Sequence, residues 1–308
     1  MRKRLLMILV AMLSIEVSAG ELVKAKIDIC RGAWNIPVNY SHEFITEHPD
    51  EISVKFDQGY VQMAVLMENT VPGKYYRLSL AAKGTNIKVQ FVQLMPEAPK
   101  DTVYGSIYNI SPEWQRMYFY SSPIILKDRK FKCFFYFSGK GELALKDIKI
   151  EQLDQSDLER NLLPDDGITL ASWTCRWGKV EMIPQLVEAN DSPFGSKAIK
   201  AEEVADKMHL STIDLPSIPG AELVAEFWIK TDASGGLNCQ ATDSIFGKRI
   251  QLGLNNEWQK LNYSVLLPGN IGAKPCFWFM FLNFKQSTPL IYYIAKFDIH
   301  YVFNKKTE

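Results

Sequence analysis

An internal duplication limits this sequence to folds that can be built twice over. Pro72-Gly73 followed by Leu78-Ser79-Leu80-Ala81-Ala82-Lys83 answers to Pro219-Gly220 followed by Ala225-Glu226-Phe227-Trp228-Ile229-Lys230, 147 positions apart (Gly73 and Gly220, Lys83 and Lys230). Pro112-Glu113-Trp114-Gln115-Arg116 answers to Asn256-Glu257-Trp258-Gln259-Lys260 at 144 positions, and Phe131-Lys132-Cys133-Phe134-Phe135 to Lys274-Pro275-Cys276-Phe277-Trp278 at 143. Lys146-Asp147-Ile148 and Phe297-Asp298-Ile299 close the two halves. Matches in one order at near-constant spacing mark a tandem repeat of one structural unit.

Each unit reads as β-structure. Tyr75 to Ala82, Ile87 to Leu94, Met117 to Tyr120, Phe131 to Phe137 and Leu143 to Ile150 are short β-branched or aromatic runs. Turn clusters such as Val71-Pro72-Gly73 and Ser138-Gly139-Lys140-Gly141 separate them, the pattern of a sandwich or barrel. The spacing predicts a short helix over Gln155 to Leu162 at the junction, and a boundary that divides the chain into 20–153 and 154–308.

Residues 1–19 read as a secretory signal peptide: a basic start, Met1-Arg2-Lys3-Arg4, an apolar run from Leu5 to Leu13, and small residues up to Ala19. That run is shorter than the ~20 apolar residues of a membrane-spanning helix, and no other stretch reads as a span. Lys+Arg 35 balances Asp+Glu 35, with no basic block beyond the first residues, which argues against nucleic acid as a partner. An apolar content of 47% supports packed cores rather than disorder.

The order of motifs resembles carbohydrate-binding modules of the galactose-binding-like jelly-roll type: Pro-Gly, an apolar strand ending in Lys, a Glu-Trp-Gln turn, and a last strand with a central Asp. Asp191-Ser192-Pro193-Phe194-Gly195-Ser196-Lys197-Ala198-Ile199-Lys200 resembles an early loop-to-strand segment of those modules. The resemblance implies an all-β protein of two tandem jelly-roll sandwiches, with sugar bound on a concave sheet or on edge loops. No cofactor is required. A structural calcium is implied with Asp147 and Asp298 as ligands, the alternative being surface Asp near strand ends.

Four of the five cysteines fall at matched positions, Cys30 with Cys175 and Cys133 with Cys276. An oxidising location would allow the bridges Cys30–Cys133 and Cys175–Cys276; buried thiols are the alternative. Cys239 has no counterpart.

Catalytic motifs are absent. The four histidines, His42, His48, His209 and His300, are scattered, and no Cys-x-x-Cys or His-Glu-x-x-His occurs. Glycoside hydrolysis needs only two carboxylates at suitable separation, and Glu113, Glu202, Glu226 and Glu257 are available. Sugar binding asks for an aromatic face beside hydrogen-bonding side chains. Trp114, Trp258, Trp228 and Trp278 read as packing residues. The ligand candidates are therefore Arg31, Trp34, Tyr104, Tyr108, Trp173, Arg176 and Trp177. The expected function is an exported, non-catalytic carbohydrate-binding protein; the alternatives are an envelope interaction module and, behind it, a divergent glycoside hydrolase.

Overall fold

The computed structural model describes residues 21–22, 25–31, 42–45, 51–56, 60–68, 70–94, 103–121, 130–176, 184–203, 209–231, 235–242, 245–246, 250–252, 256–267, 275–281 and 290–303. They form two β-sandwiches in sequence. One sheet of the first sandwich runs β3 (His42–Ile45), β4 (Glu51–Phe56), β11 (Gly141–Leu153), β6 (Tyr75–Gly84), β9 (Gln115–Tyr120), with β1 (Glu21–Leu22) also on β11. The facing sheet runs β2 (Ala25–Arg31), β5 (Tyr60–Glu68), β10 (Lys130–Gly139), β7 (Ile87–Leu94), β8 (Val103–Asn109).

The second sandwich repeats this plan. One sheet runs β13 (Gln185–Glu188), β14 (Lys197–Glu203), β22 (Leu290–Val302), β16 (Glu222–Thr231), β20 (Gln259–Leu266). The other runs β12 (Trp173–Arg176), β15 (His209–Thr212), β21 (Trp278–Phe281), β17 (Gly235–Thr242), β18 (Ile245–Phe246), with β19 (Ile250–Leu252) also on β17. Most successive strands cross between the facing sheets, the path of a jelly roll, and the two strand orders correspond, so the duplication in the sequence is a duplication of topology.

Local chemistry explains why the repeat motifs recur. Gly73 and Gly220 both hold φ of 78° in the turns before β6 and β16. Open space surrounds both positions, so backbone conformation alone demands glycine. In β16, Leu223, Ala225, Phe227 and Ile229 are buried while Val224, Glu226, Trp228 and Lys230 face outward, the period-two pattern of a sheet with one solvated face. The inner faces meet in aromatic clusters: Phe91, Phe119 and Phe135 in the first sandwich, Phe227, Phe277, Phe279 and Phe297 in the second.

The predicted helix is shorter than its sequence signal. It covers Gln155–Leu158, capped reciprocally by Asp154 and Asp157. Proline at 164 biases Leu163 toward extended backbone, and Leu163 sits at φ −96° and ψ 145°. The segment before it joins the second sandwich, with Leu162 N donating to Ile299 O (2.8 Å) and Asn161 Oδ1 accepting from Ile299 N (3.1 Å).

Strand register overturns both disulfide expectations. Cys30 lies opposite Gln62 of β5, whereas Cys133 lies opposite Val65 of the same strand, so one strand and three residue steps separate them. With strands ~4.8 Å apart and ~3.4 Å per residue, the Cα atoms are roughly 14 Å apart, twice the reach of a disulfide. Cys175 opposite Leu210, and Cys276 beside the Thr212–Phe277 hydrogen bond, repeat the same offset. Cys133 and Cys276 are buried thiols outside any disulfide, and Cys133 Sγ contacts Val65 O at 3.8 Å.

Register also separates the two aspartates expected to be equivalent. Leu78 pairs with Ile150 and its counterpart Ala225 with Ile299, so Asp298 corresponds to Lys149 and not to Asp147. Asp147 instead sits at a bulge where Leu80 faces both Asp147 and Ile148, with φ of 52°. Among the described residues no group of three or more His, Cys, Asp or Glu gathers around either aspartate.

A polar seam joins the sandwiches. Asp214 Oδ2 accepts from Ser106 N (2.6 Å) and Oδ1 from Ser106 Oγ (2.8 Å). Thr174 Oγ1 donates to Ile107 O (3.0 Å), and Tyr75 OH donates to Ser217 O (2.8 Å). Tyr120 OH donates to Leu162 O (2.6 Å), and burial pushes its titration far up. The buried side chains of both halves belong to one continuous cluster.

Candidate functional site

The outward face of the sheet containing β16 carries a cleft of about 390 Å³, within the range of small-ligand sites. Its floor is set by register. Glu226 lies between Asn262 of β20 and Asp298 of β22, and Trp228 lies between Lys260 and Lys296. A bulge at Ala295, opposite the Trp228–Ile229 step, returns Lys296, Asp298 and His300 to the outer face after the buried Ile294.

One wall is Phe194, in the loop between β13 and β14. Ser192 Oγ accepts from Phe194 N and donates to Phe194 O, both at 3.0 Å, and Gly195 follows in left-handed backbone at φ 65°. This local turn lifts the Phe194 ring, 39% exposed, onto Trp228, with centroids 5.5 Å apart at 61°. Asp191, in the same loop, is ion-paired with Lys230 of β16, which anchors the loop to the sheet and holds its carboxyl below the usual range.

Around this aromatic corner the polar groups are mutually held. Lys260 Nζ contacts Glu226 Oε2 at 2.9 Å, the Lys296 ammonium lies 5.2 Å from the Phe194 ring centroid, and Asn161 lines the opposite rim. His300 Nδ1 is 2.7 Å from Asp298 Oδ1. That hydrogen bond raises the His300 pKa above its ordinary 6.5, against the lowering effect of burial. The imidazolium therefore stabilises the fold fully below the unfolded pKa, and that contribution is lost as pH rises through the higher folded value. An NMR titration of His300 is expected to show a midpoint above 6.5, falling in Asp298→Asn; a wild-type midpoint at or below 6.5 contradicts the pairing.

The residues expected to bind ligand lie elsewhere. Tyr108 is buried at the junction, its hydroxyl accepting from Asp214 N at 3.0 Å. Trp173 is core: its Nε1 donates to Gly167 O (2.7 Å) and its ring meets Phe297 edge-on at 5.1 Å. Both assignments are corrected on the same ground, since strand alternation turns these rings inward. Tyr104 is exposed on β8, remote from the cleft. Arg31 and Arg176 end the matched edge strands β2 and β12; Trp34 and Trp177 lie outside the described residues.

The sequence places Trp228 in the core, whereas the structure sets it half-buried on the outer face, in the lining of the cleft. Its signal was present in the alternation of Glu226, Trp228 and Lys230 with Phe227 and Ile229, which outweighs the apolar look of the run. Trp278 is buried, as expected.

No known protein family matches the chain, and no curated protein matches it. Among solved structures, the N-terminal CBM22-1-CBM22-2 tandem domain from Paenibacillus barcinonensis Xyn10C is 11% identical over 92% of this chain and 98% of that one, at a TM-score of 0.35. A CBM4 structure is 14% identical over 42% of this chain and 79% of that one, at 0.29. A family 16 carbohydrate binding module is 15% identical over 41% of this chain and 90% of that one, at 0.28. Among the described residues, no helix is long and apolar enough to cross a membrane.

Proposed function

We propose that this protein is an exported, non-catalytic carbohydrate-binding protein whose site is the cleft on the second sandwich. One observation carries the reading: the Phe194–Trp228 corner stands on an open sheet face, ringed by side chains that donate and accept hydrogen bonds. Sugars present flat C–H surfaces that such rings cover and hydroxyls that Glu226, Lys260 and Asp298 can satisfy. The cations here are largely matched by carboxylates, which suits a neutral glycan.

Trp228→Ala is expected to weaken binding to a neutral polysaccharide at least tenfold, about 1.4 kcal/mol. Affinity electrophoresis and calorimetry over a panel of soluble neutral polysaccharides measure this. Because Trp228 is half-exposed, its loss should move the melting temperature little. Absence of binding to every polymer by the wild type, or unchanged binding by the variant, defeats the reading.

Glu226 and Asp298 are direct cross-strand neighbours, an arrangement that favours glycoside hydrolysis. Glu226 is paired with the Lys260 ammonium and Asp298 with the His300 imidazole, on a solvated face, and neither has the apolar enclosure that makes a carboxyl a general acid. We assign them as hydroxyl acceptors. Release of reducing sugar by the wild type, lost in Glu226→Gln, would reverse that assignment.

A further inference from the structure

We infer that the first sandwich carries a separate site for carboxylated polysaccharide, built on Trp114 between Lys83 and Lys146. Register places Ala81 where the second sandwich has Trp228: Ala81 pairs with Arg116 and Lys146, as Trp228 pairs with Lys260 and Lys296. Ala81, with no ring of its own, is nearly covered at 9% exposed. Trp114, just before β9, supplies the aromatic surface instead. Its ring centroid lies 4.7 Å from Lys83 Nζ and 4.3 Å from Lys146 Nζ.

The charges differ between the sandwiches in a way that selects a ligand. On the second, Lys230, the counterpart of Lys83, is ion-paired with Asp191 and Lys260 with Glu226, while Lys296, the counterpart of Lys146, lies against the Phe194 ring. On the first, neither Lys83 nor Lys146 has an ion pair among the described residues. Glu151 is taken by Arg77 and Glu142 by Lys55. Arg116 of β9 and Lys149 of β11 are exposed on the same outer sheet face. Two ammonium groups converging on one indole repel each other, and cation–π attraction offsets this only in part. An anion bound between them removes the repulsion. The indole adds a flat apolar surface, so the matching ligand is a sugar ring bearing a carboxylate.

The site is also clear of the junction. Tyr75, which bonds to Ser217, starts β6, and Lys83 lies eight residues further on, roughly 26 Å along the strand. The proposal uses none of the residues of the second sandwich's cleft.

The test uses the full chain in affinity electrophoresis with sodium polygalacturonate, its fully methyl-esterified form as the uncharged control, and poly-L-glutamate as a polyanion without sugar. The wild type should be retarded by polygalacturonate alone among these. Lys83→Gln/Lys146→Gln should lose at least tenfold in affinity, and Trp114→Phe should lose less. No retardation by polygalacturonate overturns the proposal while leaving the neutral site standing. Equal retardation by poly-L-glutamate, insensitive to Trp114→Phe and Trp114→Ala, overturns it as simple charge attraction. Circular dichroism of each variant establishes that it is folded.

Discussion

Phe297→Ala is expected to destabilise the second sandwich by about 3–5 kcal/mol, measured by urea unfolding at constant pH. Phe297 is fully buried on β22, where the two sheets meet. It stacks on Phe227 at 5.1 Å and 19°, meets Phe277 at 5.1 Å, and receives the edge of Trp173 at 5.1 Å. Truncation removes the transfer free energy of the ring and leaves a cavity lined by other rings. These cannot collapse into it, because strand pairing fixes their backbones on both sides. Phe297→Leu should cost clearly less, since it keeps most of the volume. A loss below about 1 kcal/mol for the alanine variant would contradict a close-packed aromatic core.

Much of the fold could be read directly because its causes are local. Ile87–Leu94 is bounded in the sequence by turn residues at both ends, and the observed strand has the same limits. The Pro-Gly turns, the Glu-Trp-Gln entries and the closing strands recur because each copy needs the same left-handed glycine and the same sheet entry. What could not be read is what depends on register. Cys30 and Cys133 look like a bridge in one dimension and are three residue steps apart across an intervening strand. Asp147 and Asp298 align by eye, yet a one-residue bulge in β11 places Lys149 opposite the counterpart of Asp298's partner.

The site suffered from the same blindness. Trp173 and Tyr108 stood out as aromatics near loops, but which way a ring points is decided by strand parity and by the neighbouring sandwich. Trp228 lies inside a strongly apolar strand and is outward by parity alone. Phe194 owes its position to a serine turn whose hydrogen bonds have no signature beyond Ser192-Pro193-Phe194-Gly195.

The seam between the sandwiches makes the strongest prediction about the whole chain. Asp214→Ala should lower stability by about 2–4 kcal/mol, because hydrogen bonds to a carboxylate contribute about 1.5–3 kcal/mol each and two from Ser106 disappear together. Asp214 is 7% exposed, so water reaches the abandoned Ser106 groups poorly. Gly105 shows how closely the parts fit: a Cβ there would lie 3.2 Å from Asp214 Oδ2 and 2.9 Å from Phe91 O. Since these bonds cross from β8 to the segment after β15, their loss weakens coupling more than it weakens either core. Calorimetry of the wild type is therefore expected to show one transition and that of Asp214→Ala two, the lower belonging to one sandwich alone. Asp214→Asn retains an acceptor for Ser106 N and should fall between. A single transition at the wild-type temperature in the alanine variant would mean that the shared apolar cluster, and not this polar seam, locks the two sandwiches together.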